Sequence, residues 1–77
     1  MTKNLFDVKK TNRCKYIKCV DERQGKELVA YGFIRDVEIE VVSKTKYGIV
    51  VRVLDGVFSL NYKLAQNIIV EVDSYAR

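Results

Sequence analysis

Three stretches of the chain alternate apolar and polar residues with a period of two. In the first, Val37, Ile39 and Val41 alternate with Glu38 and Glu40. In the second, Ile49, Val51 and Val53 share one face and Arg52 points the other way. In the third, Ile68, Val70 and Val72 alternate with Glu71 and Asp73. Such alternation predicts half-buried strands. Phe58 and Leu60 predict a further strand after Asp55-Gly56, a dipeptide favoured in two-residue hairpins. Lys44–Gly48 reads as the turn between the first two alternating stretches. Near the N-terminus, Leu5 and Val8 are spaced for a turn, and residues 14–20 (CKYIKCV) read as the first strand. In that strand Cys14 and Tyr16 share one face and Ile17 and Cys19 the other, which predicts either a bulge or a strand covered on both sides.

Two segments break the strand period. Asp21 has the chemistry of a helix N-cap, with Gln24 three residues on. Glu22 with Lys26 and Arg23 with Glu27 are spaced as i,i+4 pairs, and Leu28 and Tyr31 lie on one helical face. Gly25 weakens this helix by about 1 kcal/mol relative to alanine, so it needs support from the core. Gly32 stands where a left-handed residue would end it. Later, Asn61 can cap one turn, YKLAQ, with Leu64 plugging the barrel end. The elements predict a mainly β fold. It is a small barrel of about five strands, with one short helix after the first strand and a helical turn before the last. A barrel is favoured over an open sheet because closure removes exposed edges.

The chain has 77 residues, which fits one domain over 1–77 with a thin core. It has no run near the ~20 apolar residues a membrane span needs, and residues 1–13 lack the apolar stretch of a secretory signal. A cytosolic protein is expected. A domain of this size can also gain buried area by self-association.

Charge is uneven. Residues 1–26 carry a net +5 and residues 27–77 a net −1, within a total of +4. Lys9, Lys10, Arg13, Lys15, Lys18, Arg23 and Lys26 are interleaved with Phe6 and Tyr16. Basic groups neutralise phosphates and aromatic rings stack on bases, so an RNA-binding barrel is the alternative reading. No recognised RNA-binding motif accompanies the pattern.

Catalysis is not expected. The chain has no histidine, the commonest general base at neutral pH. Ser43, Ser59 and Ser74 have no partner base in sequence, and no glycine-rich phosphate loop is present. Glu38 and Glu40 share a strand face, where carboxylates ordinarily face solvent. Cys14 and Cys19 are the candidate metal donors, for Fe2+ or Zn2+. Two thiolates do not complete a site, and as core thiols they would behave as small hydrophobes. Their spacing along one strand disfavours a disulfide.

Residues 27–72 resemble the FeoA family of ferrous iron transport proteins. The matching pieces are Leu28-Val29-Ala30-Tyr31-Gly32-Phe33, Val37 to Val41, Ile49 to Val53, Phe58-Ser59-Leu60, Ala65, and Ile68 to Val72. Leu5, Val8, Tyr16 and Cys19 extend the resemblance toward the N-terminus. The chain departs from the family at its two Pro-Gly pairs, which are Lys10-Thr11 and Arg35-Asp36 here, and at a family arginine that is Asn61. The resemblance implies an SH3-like barrel without enzymatic activity. It also implies a cytosolic accessory role beside FeoB, a membrane ferrous iron transporter with a GTP-binding region. On this reading Leu28, Tyr31 and Phe33 form a partner-binding surface with Lys26 on its rim. Leu28 and Phe33 also fit the core, whereas Tyr31 suits a half-wet position.

Overall fold

A computed structural model describes residues 1–10 and 12–72. Thr11, Asp73 and Ser74, named above, lie outside the described residues. Six strands and two helices follow one another: β1 (Thr2–Asn4), β2 (Arg13–Cys19), α1 (Glu22–Val29), β3 (Glu38–Thr45), β4 (Gly48–Val53), β5 (Gly56–Asn61), α2 (Tyr62–Asn67) and β6 (Ile68–Val72). A 3-10 turn, Leu5–Asp7, follows β1. The strands form one antiparallel sheet in the order β1-β6-β2-β3-β4-β5.

The mainly β architecture agrees with the sequence pattern, with one strand more than expected. β1 was not expected because it is three residues long and does not alternate. It exists because its backbone pairs with β6, Thr2 opposite Glu71 and Asn4 opposite Ile69. The bulge in β2 is present. Its register against β6 shifts between Tyr16 and Lys18, so Cys14 and Tyr16 are buried while Cys19 is half-buried.

Two turns differ from the expectation. β3 runs on to Thr45, and the turn is only Lys46-Tyr47. Lys44 is held in the strand because its ammonium donates to the carbonyls of Phe6 (2.7 Å) and Val8 (3.1 Å). The β4–β5 turn is Leu54-Asp55, one residue earlier than the Asp-Gly pair, since Val53 is opposite Gly56. Leu54 takes the left-handed conformation itself (φ 54°). Gly56 serves a different end: a Cβ there would lie 2.6 Å from the Phe58 ring.

Strand alternation places Ile39, Val41, Ile49, Val51, Val53, Ile68 and Val70 in one buried cluster. Leu5 and Val8 join it from the first turn, and Leu28 and Phe33 from α1 and the segment after it. α2 touches β1, β4, β5, β6 and the 3-10 turn, so it covers the end of the sheet. The fully buried residue of α2 is Ala65; Leu64, expected as the plug, is half-buried against the core. In the turn after α1, which carries Arg35-Asp36, Val37 N–H donates to the Ile34 carbonyl (3.0 Å), and Asp36 adopts φ 71°, at the position where the resemblance would place glycine. Aspartate tolerates this conformation better than most residues.

Candidate partner-binding cleft

The helix α1 is positioned by its two ends and its contact with β2. The Asp21 carboxylate accepts from the Gln24 N–H at 3.0 Å, as the cap chemistry predicted. A Cβ on Gly25 would come 3.3 Å from the Cys19 Cβ, so glycine lets α1 lie close on β2. At the far end Phe33 N–H donates to the Leu28 carbonyl and Gly32 N–H to the Val29 carbonyl. This is a Schellman closure, with Gly32 at φ 98°. The same closure seats Phe33 beside Leu28 in the core.

The expected i,i+4 pairs on α1 are not made. Ion pairs among the described residues join Met1 with Glu71, Arg35 with Asp36, and Arg52 with Glu40. The α1 side chains of Glu22, Arg23, Lys26 and Glu27 are exposed, where such pairs contribute little.

An aromatic series runs from core to surface. Tyr16 and Phe33 meet edge to face (6.0 Å between centroids), Phe33 meets Phe58 (5.6 Å), and Phe58 meets Tyr31 (5.5 Å). Around its outer end opens a cleft of ≈ 350 Å³, lined by Gln24, Glu27, Leu28 and Tyr31 from α1 and its end, by Phe33, by Phe58, Ser59 and Leu60 from β5, and by Leu64 from α2. Gln24 Oε1 accepts from Asn67 Nδ2 at 3.0 Å, tying α1 to the end of α2 behind the cleft.

The structure separates the sequence-derived surface residues by depth. Leu28 and Phe33 are core residues, 4% and 1% exposed, that reach the cleft only as its inner lining. Tyr31 is 57% exposed at its mouth. Lys26 is exposed on α1, but Gln24 and Glu27 line the cleft in its stead. Phe58 and Leu64 were missed as cleft residues. Their apolar character was visible, but the cleft assembles only when α1, β5 and α2 come together.

Neither cysteine is grouped with two further metal-ligating side chains among the described residues. Both are free thiols. Burial pushes Cys14 up to about 12 from an ordinary 9.0, with Glu38 adding to the shift. Its Sγ lies 3.7 Å from the Ile39 carbonyl, to which it donates. Burial also raises Cys19; the Asp21 backbone N–H lowers it in part and the Asp21 carboxylate raises it. No group of three or more His, Cys, Asp or Glu is placed to hold an ion among the described residues.

The RNA alternative loses its stacking platform. Tyr16 is buried, and Phe6 is half-buried with the Lys44 ammonium 5.4 Å above its ring. On β2, Arg13 stands opposite Glu40, and Lys15 opposite Glu38 and Glu71, so carboxylates flank these two basic residues, while Lys18 stands opposite Ile69.

The sequence profile of the FeoA domain matches residues 4–72. The chain belongs to the FeoA family. Among solved structures, a FeoA-like protein from Clostridium acetobutylicum is similar over 92% of this chain and 86% of its own, with TM-score 0.81 and 27% identity. The zinc complex of Stenotrophomonas maltophilia FeoA, described as a prokaryotic SH3-domain protein, covers 92% and 89% with TM-score 0.78 and 20% identity. A manganese-dependent transcriptional repressor shares the fold over 94% of this chain but only 37% of its own (TM-score 0.84, 15% identity). No curated protein sequence matches significantly. The chain therefore has the small SH3-like barrel of a family that is associated with ferrous iron transport.

Proposed function

We propose that this FeoA protein is a cytosolic, non-catalytic accessory of ferrous iron uptake that docks on the cytosolic GTP-binding region of a FeoB-type transporter. The observation that carries the reading is Tyr31, held half out of the surface over an apolar cleft by the Gly32 closure. Large aromatic side chains beside an apolar recess make good interface anchors. Leu28 and Phe33 support the cleft from within, and Lys26 lies one turn along α1. No helix among the described residues is long and apolar enough to cross a membrane, so the reading places the protein at the membrane through its partner.

The test is a titration of the protein with the transporter's GTP-binding region, with and without nucleotide, read by backbone amide shifts. Saturable shifts clustered at Tyr31, Phe58 and Leu64 are expected. Tyr31→Ala should weaken binding about tenfold or more, in the range of an interface anchor, while leaving the amide spectrum folded. Absence of shifts in both nucleotide states, or an unchanged affinity for the alanine variant, overturns the assignment.

A further inference from the structure

β5 lies at the edge of the sheet, laddered only to β4. The phase of that ladder is set by the Tyr62 N–H, which donates to the Tyr47 carbonyl at 2.9 Å. The register then runs Ile49–Leu60, Val51–Phe58 and Val53–Gly56. Antiparallel pairs alternate between bonded and unbonded. Gly56, Phe58 and Leu60 therefore direct their backbone groups to β4, whereas Val57, Ser59 and Asn61 direct theirs away from the sheet. Edge strands in natural proteins are ordinarily blunted by charge, proline or a bulge. Residues 56–61 (GVFSLN) contain no charge and no proline. The β4–β5 register has no shift, although the β2–β6 and β3–β4 registers each have one. The opposite edge, β1, is only three residues and carries Lys3.

We propose that β5 is a self-association edge, at which two copies pair β5 to β5, antiparallel about a two-fold axis through Ser59. The outward positions are symmetric about that residue. Ser59 of each copy exchanges both of its free backbone bonds with Ser59 of the other, and Val57 of one copy meets Asn61 of the other. On the opposite face Phe58 of one copy lies across from Leu60 of the other. No charge opposes a like charge anywhere along the pair, despite a net +4 on each chain. Val57, 58% exposed, and Tyr31 at the neighbouring cleft supply apolar area beside the new ladder. The strands are short, so the dimer is weak and concentration-dependent.

The proposed edge shares Tyr31, Phe58 and Ser59 with the cleft assigned to the transporter, but it does not rest on that reading and is tested on the full chain alone. Sedimentation equilibrium from micromolar to millimolar protein is expected to show mass rising from one chain toward two. Over the same series the Val57 and Ser59 amides should become protected from hydrogen exchange. Ser59→Pro removes an outward donor and leaves the β4 ladder intact; it should weaken association at least ~tenfold, or ~1.4 kcal/mol. Ser59→Ala, which keeps the backbone donor, should associate as the parent does. If the proline variant misfolds, Val57→Lys serves instead, because a lysine blunts the edge without entering the core. A single-chain mass throughout, or a dimer that survives both Ser59→Pro and Val57→Lys, overturns the proposal. So does protection of the β5 amides that arises only on adding a different protein.

Discussion

At the scale of single residues, the two thiols have different surroundings on one strand. Cys14 faces the core and Cys19 sits half-buried after the bulge. Because burial holds the Cys14 thiol near 12 against 9.0 for the ordinary group, the folded state keeps a proton that the unfolded chain releases above pH 9. Stability from this group is complete below pH 9 and falls as pH rises toward 12. Burial raises the Tyr16 hydroxyl in the same direction, with Cys19 contributing. Urea midpoints should therefore decline as pH is raised above 9, and Cys14→Ala should flatten that decline. Alkylation of native protein should label Cys19 ahead of Cys14.

At the scale of elements, the joint between α1 and the barrel depends on Gly32. Alanine there would hold φ 98° against its preference and bring a Cβ to 2.8 Å from the Leu54 side chain. Gly32→Ala should lower unfolding free energy by about 1–2 kcal/mol in urea titration. This glycine was legible in sequence, as were the Asp21 cap and the alternating strands, because each is decided by neighbours a few positions away. β1 was not legible, since a three-residue polar strand exists only through backbone pairing with β6. The position of the β4–β5 turn was hidden for a related reason. Asp55-Gly56 has the composition of a turn pair, but the ring of Phe58 claims the space over Gly56. The depth of Leu28 and Phe33 against Tyr31 also follows from packing across α1, β5 and α2, which periodicity within α1 could not separate.

At the scale of the whole molecule, the sheet order sets when its parts can come together. The meander β3-β4-β5 pairs neighbours in sequence, but β2 pairs with β6 through Tyr16 opposite Val70. β1 pairs with β6 as well. About 50 residues must follow Tyr16 before its partner strand exists. At synthesis rates of about 5–20 residues per second, that delay is roughly 3–10 s. Nascent chains stalled before β6 has left the ribosome should be cut readily by protease within residues 1–20, and chains stalled after it has emerged should resist. β1 and the β6-facing edge of β2, with Lys3 and the strand carrying Cys14, therefore wait unpaired through the interval of translation, although β2 can already pair with β3 on its other side.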